Sequence, residues 1–139
     1  MDTAAKLADF VATQNSVYDQ VVRELQAGRK QTHWMWFIFP QIAGLGTSHM
    51  AQRFALASQA EARDYLAHPI LGPRLLECTR LLLAAPHDDI SAILGYPDDL
   101  KFRSCVTLFA AVAPDEPVFQ EALTKFFHNK PDPRTIDLL

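Results

Sequence analysis

The chain has 139 residues and a formal charge of −3 at neutral pH, with 49% apolar and 21% charged residues. That length suits one domain able to bury about 70% of the surface its unfolded chain exposes, and the balance of apolar and charged residues excludes a disordered polymer. A pI near 5.9 excludes general nucleic-acid binding, which draws on a basic face. The longest aromatic-rich run, Trp34 to Phe39, falls far short of the roughly 20 apolar residues that span a bilayer, so no membrane partner is expected. Residues 1–10 lack the basic start and apolar stretch of a signal peptide. Cys78 and Cys105 sit singly in apolar surroundings, without C-x-x-C spacing. Both features predict a cytoplasmic protein of bacterial type with free thiols, a Cys78–Cys105 disulfide being the alternative.

The elements predicted along the chain are helical. Over 3–14, Leu7, Phe10 and Val11 share one face, followed by Asn15 or Ser16 as a cap. Val17, Val21 and Leu25 recur every four residues up to Gly28, a C-cap glycine, so 17–27 reads as a second helix. Residues 30–39 are apolar all round. Periodicity does not separate a buried helix from a buried strand over such a span, and helix is the preferred reading, ended by Pro40. Gly44 to Ser48 reads as a loop closing on a serine N-cap for a helix over 49–57. Ser58 and Glu61 match a capping box, starting a helix that stops before His68-Pro69. The stripe of Leu71, Leu75, Cys78 and Leu82 predicts a central helix from Pro69 or Pro73 to Ala85. Pro86 to Asp89 breaks it and caps a short helix over 90–94, ended by Gly95. Pro97-Asp98 opens a helix to about Ala113, Pro117 opens another carrying Phe119, Leu123 and Phe126, and the tail from Pro131 reads as irregular. The expected fold is all-α, a compact multihelical single domain over 1–139 with about seven helices and little or no sheet.

Chemistry concentrates in two of these segments. If 30–41 begins as a helix, steps of about 100° put Lys30, His33, Trp34 and Phe37 on one side, with Gln41 near it. On such a stripe aromatic faces stack a planar ligand, Lys30 supplies positive charge and His33 donates hydrogen bonds or transfers a proton. The competing reading makes Trp34, Trp36, Phe37 and Phe39 core, with His33 a satisfied neighbour and Lys30 reaching to solvent. In the helix after Asp98, Phe102, Cys105, Val106 and Phe109 bury one side. Lys101 lies in the first turn, where a cation gains nothing from the helix dipole, and this points to an anionic partner: Asp98, or a bound phosphate or carboxylate. Ser104 and Thr107 form a small-residue side that either meets a ligand or permits close packing. Gly44 to Ser48 lacks the spacing of a phosphate-binding glycine motif. The five histidines are scattered without metal-ligand spacing, so neither a metal nor a cofactor is expected, and cysteines on apolar faces make poor nucleophiles.

The string from Lys30 to Gln41, followed by Gly44-Leu45-Gly46 and Ser48, resembles the signature of the mainly bacterial DUF1810 family. Glu61-Ala62, Tyr65-Leu66, His68-Pro69, Leu71-Gly72 and Arg74-Leu75 resemble its middle block. Gly95, Asp98, Lys101, Ser104 and Thr107-Leu108-Phe109 resemble its third, and Phe119, Asp132 and Thr135 are similar to its C-terminal pattern. Thr32 stands where the family tends to have serine, and Cys105-Val106 where it tends to have serine and methionine; small or apolar character is kept. The resemblance implies a mainly helical single domain and no established reaction. A calpastatin-like label attached to some relatives does not suit this chain, because inhibitory calpastatin segments are disordered and polar.

Two functional readings result. In the first, a small anionic molecule occupies a pocket built from Lys30, Trp34, Trp36, Phe37, Gln41, Ser48, Lys101, Ser104 and Thr107, with Asp98 or His33 as acid–base group in any catalysis. A nucleotide-derived, ADP-ribose-like ligand suits that composition, which is loosely similar to NADAR domains acting on ADP-ribose derivatives; this is analogy. In the second, exposed members of the Trp34 to Phe39 run form a non-catalytic hot spot for a protein partner or for self-association. Burial of the run discriminates between the two.

Overall fold

The computed structural model describes residues 2–139. They form ten helices: α1 (Thr3–Asn15), α2 (Tyr18–Gln26), α3 (Met35–Ile38), α4 (His49–Arg53), α5 (Gln59–Ala67), α6 (Leu71–Leu83), α7 (Ile90–Leu94), α8 (Asp98–Val112), α9 (Pro117–Phe127) and α10 (Pro133–Leu138). Ten exceeds the expected count of about seven, although only α10 falls in a segment read as irregular. Helices α3 and α4, with four and five residues, are shorter than the helices predicted over 30–39 and 49–57, α7 has the predicted five residues, and the six residues of α10 are too few to display a helical period. Among the described residues there is no strand beyond a single parallel bridge between Ile42 and Leu56. No helix among them is long and apolar enough to cross a membrane.

Local chemistry starts most of these helices where the sequence predicts. Asp2 caps α1, Ser48 caps α4, Ser58 caps α5 and Asp89 caps α7, each side chain accepting a hydrogen bond from a first-turn amide. The Ser58–Glu61 box closes differently from its pattern, because the Glu61 carboxylate accepts from Ala57 N at 2.9 Å and from Lys6 Nζ at 2.6 Å. Glu61 therefore ties α1 to the start of α5. Before α6, the imidazole of His68 accepts from the amides of Ile70 and Leu71. Gly72 lets α6 begin against α5: a Cβ there would lie 2.0 Å from the Leu66 carbonyl oxygen.

Three predicted boundaries are corrected. The helix predicted over 49–57 ends at Arg53, since Phe54 turns into the core and Leu56 leaves to bridge Ile42. Residues 30–34 are not helical, so only the one turn of α3 remains of the helix predicted over 30–39. The tail is not irregular: Asp132 accepts from Thr135 N, Pro133 opens α10, and a further helix packs on α8.

Helix α8 is the central beam, with α5, α7, α9 and α10 against it, while α6 packs on α2, α5 and α9. Phe37, Phe54, Phe10, Tyr65, Phe109 and Phe119 make one line of ring contacts from α3 to α9, at centroid separations of 5.5, 5.1, 5.1, 5.8 and 5.4 Å. Each buried aromatic contributes about 1.5–3 kcal/mol of transfer free energy, and tilted ring pairs add up to about 1.5 kcal/mol. Cys78 and Cys105 are free and buried. Burial pushes the Cys105 thiol well above its ordinary value and that of Cys78 up to about 12, so both are packing groups.

Candidate functional site

Glu24, near the C-terminus of α2, organises the segment that leads to the site. It is 3% exposed. Its Oε1 accepts from Gln31 N at 2.7 Å, Thr32 N at 3.0 Å and the Trp34 indole at 3.0 Å. Its Oε2 accepts from Thr32 Oγ1 at 2.6 Å and Gln20 Nε2 at 3.0 Å. Burial alone would raise the carboxyl pKa, but the hydrogen bonds from Thr32, Gln31 and Gln20 outweigh it and hold the value at about 2. Because the amides of 31 and 32 are given to this carboxylate and that of Lys30 to Ile93 O at 2.8 Å, residues 28–34 form a loop rather than a helix.

The stripe expected from a helix is consequently dispersed. Trp34 is 1% exposed, with its indole N–H spent on Glu24. Phe37 is 4% exposed and packs on Phe54 in the core, away from any ligand position. His33 points outward and makes no side-chain hydrogen bond among the described residues.

Lys30 and Trp34 nevertheless meet the second predicted segment. Lys30 Nζ stands 5.1 Å from the Trp34 ring centre and 2.9 Å from Asp98 Oδ2. Asp98 Oδ1 pairs with Lys101 Nζ at 3.4 Å, and Lys101 Nζ in turn stands 5.1 Å from the Trp36 ring centre. One carboxylate thus joins two lysine–tryptophan pairs. The anionic partner anticipated for Lys101 is Asp98.

Trp36 and Lys101 belong to a cleft of about 540 Å³. One wall is α3 and the chain after it, with Trp36 and Gln41; another is the loop carrying Thr47 and Ser48 in front of α4. Gly46 allows that loop to lie close on α4, since a Cβ would fall 2.6 Å from Ala51 Cβ. Helix α8 supplies Lys101, Arg103 and Ser104, and the start of α10 supplies Asp132 and Arg134. Three cations against one carboxylate give this opening a positive character in a chain whose net charge is negative.

Of the predicted residues, the cleft gathers Trp36, Gln41, Ser48, Lys101 and Ser104. Lys30 and Asp98 stand behind Lys101, while Trp34, Phe37 and His33 take no part in the lining. Thr107 faces a neighbouring groove of about 620 Å³ between α8 and α9, whose lining contains no charged side chain. Its hydroxyl donates to Arg103 O at 2.7 Å and accepts from Asp132 N at 2.9 Å, which anchors the tail. Thr47, Arg103, Asp132 and Arg134 were not predicted. Asp132-Pro133 followed by Thr135 has the pattern of an N-cap with proline in the first helical turn, a signal that marks α10 but not its docking beside α8.

A family described as "Protein of unknown function (DUF1810)" matches residues 4–139. The chain is similar to a solved structure, the conserved hypothetical protein Rv1873 from Mycobacterium tuberculosis, with 48% identity and a TM-score of 0.94 over 96% of this chain and 95% of that one. Among proteins of curated function, none matches.

Proposed function

The chain belongs to the DUF1810 family over nearly its whole length, and from the geometry of its cleft we propose that it binds a small anionic molecule, with nucleotide-derived, ADP-ribose-like compounds as the class best suited to it. The observation that carries this reading is convergence. Trp36, Gln41, Ser48, Lys101 and Ser104 come from separate parts of the chain and line one cleft of about 540 Å³, a volume in the range of small-molecule sites. Trp36 offers an aromatic face and an indole N–H that no protein acceptor takes among the described residues. Lys101 and the two arginines supply positive charge, and Gln41 and Ser48 supply short-range polarity that orients a ligand, while the hydroxyl proton of Ser104 is held by Leu100 O and Asp132 Oδ2.

Burial favours this reading over an aromatic docking patch. Trp34, Phe37 and Phe39 are 1%, 4% and 0% exposed, so only Trp36 of the run's large rings retains contact with solvent, and it does so inside a concavity.

Thermal denaturation against ADP-ribose, AMP, NAD and sugar phosphates tests the proposal. A ligand at about 100 times its Kd adds about 2.7 kcal/mol, read as a rise of several degrees in Tm. The rise should be lost in Trp36→Ala and reduced in Lys101→Ala. A flat response across the panel, or shifts unchanged in both variants, overturns the assignment.

A further inference from the structure

Asp98 has both oxygens engaged by lysines, at 2.9 and 3.4 Å, and does not line the cleft. Asp132 does line it, and its two oxygens differ. Oδ2 is occupied by three donors, Ser104 Oγ at 3.1 Å, Thr135 N at 3.1 Å and Thr135 Oγ1 at 2.6 Å. Oδ1 accepts nothing from the protein, and no orphaned buried polar atom occurs among the described residues, so this oxygen keeps contact with solvent. The backbone of Asp132 is pinned as well, its N–H donating to Thr107 Oγ1 at 2.9 Å. A carboxylate fixed through one oxygen and open at the other is a rigid acceptor, and its natural complement is a ligand O–H or N–H.

The cations of the cleft differ in the same way. Lys101 is paired with Asp98, and Arg103 gives Nε to Lys130 O at 2.9 Å and Nη2 to Pro131 O at 3.0 Å. Arg134 has no hydrogen bond or ion pair among the described residues, although it lines the same cleft as Asp132. Its planar fork is free for an anion and matches phosphate oxygens two at a time.

We infer that Asp132 and Arg134 form a two-point subsite for a hydroxylated phosphate ester, Asp132 Oδ1 accepting from a sugar hydroxyl while Arg134 pairs with the phosphate. The inference rests on the proposed ligand-binding role of the cleft and narrows its ligand class. The same ribose-phosphate chemistry is found in a free sugar phosphate and in a nucleotide.

Titration calorimetry of the whole chain with ribose 5-phosphate, AMP and inorganic phosphate separates the possibilities. Asp132→Asn keeps a good helix cap, and its amide oxygen must face the three donors now at Oδ2. The NH2 group then takes the place of Oδ1 and turns the open acceptor into a donor. Affinity for ribose 5-phosphate and AMP should fall about tenfold or more relative to that for phosphate in Asp132→Asn, phosphate itself binding as well or better once the carboxylate charge is gone, and all three should weaken about tenfold in Arg134→Ala. Tighter binding of AMP, with the gain lost in Trp36→Ala, identifies a nucleotide; equal affinities identify a free sugar phosphate; either supports the subsite. Wild-type affinity retained in both variants overturns the subsite and leaves the ligand-binding role standing. Equal losses for phosphate and esters in Asp132→Asn overturn the hydroxyl contact. If none of these probes nor the wider nucleotide panel binds the parent protein, both proposals fall.

Discussion

Trp34 and Trp36 stand two residues apart, each with a lysine ammonium 5.1 Å from its ring centre, yet they belong to different parts of the molecule. Trp34 is 1% exposed and its indole N–H is taken by Glu24. Trp36 is partly exposed, its N–H has no protein acceptor among the described residues, and its ring lines the cleft. A lysine over a ring therefore does not distinguish core from site here. The distinction lies in whether the polar end of the aromatic is satisfied from within. Asp98 connects the two regions by pairing with both lysines.

The largest effect that would break this contrast is at Trp34. Trp34→Ala should cost about 3–5 kcal/mol, measured by urea denaturation, because it removes a fully buried ring and leaves a cavity. Glu24→Ala should follow closely, at about 3 kcal/mol, since it leaves the Trp34 indole and the amides of Gln31 and Thr32 without their acceptor. Its pH signature is directional. The folded pKa of Glu24, about 2, lies below the ordinary 4.5, so its contribution is present above 4.5 and is lost as pH falls toward 2. In Glu24→Gln the stability should lose part of its slope over that acid window, and an unchanged slope would show that Glu24 is not held ionised by the loop.

Asp98→Ala should cost about 2 kcal/mol, less than breaking a fully buried pair, because both lysines keep some solvent contact, Lys101 more than Lys30; Lys30 is 8% exposed and Lys101 26%. Equal stability of Asp98→Ala and the parent protein would mean that the two regions are not coupled through this carboxylate. Smallest in stability is Trp36→Ala, about 1 kcal/mol. Its consequence should appear in ligand-induced Tm shifts, and a loss as large as that of Trp34→Ala would place Trp36 in the core after all.

Much of the helical framework was legible from sequence. The Ser48, Ser58 and Asp89 caps and the Leu71–Leu82 stripe fall where short-range pattern puts them. The pairing of Lys101 with an anion was legible too, because a cation in a first helical turn needs one. The path of residues 28–34 was not. An apolar run with flanking polar residues suits a helix, and nothing local reveals that a glutamate on the preceding helix takes the loop amides. The mixed stripe of Lys30, His33, Trp34 and Phe37 failed for that reason. Asp132 and Arg134 escaped for another: a six-residue helix carries too little pattern to reveal which face docks on α8.

The sequence by itself determined the all-helical class, most helix starts and the segments that hold the polar chemistry, because caps and apolar periods act over three or four residues and are written contiguously. Only the tertiary structure decided which tryptophan is core and which is wall. It also decided that Asp98 serves the lysines while Asp132 faces the cleft. Those outcomes depend on which distant groups reach a given carboxylate first: Lys30 and Lys101 for Asp98, and Ser104 and Thr135 for one oxygen of Asp132. Such competition is settled by chain packing and has no signature in local spacing.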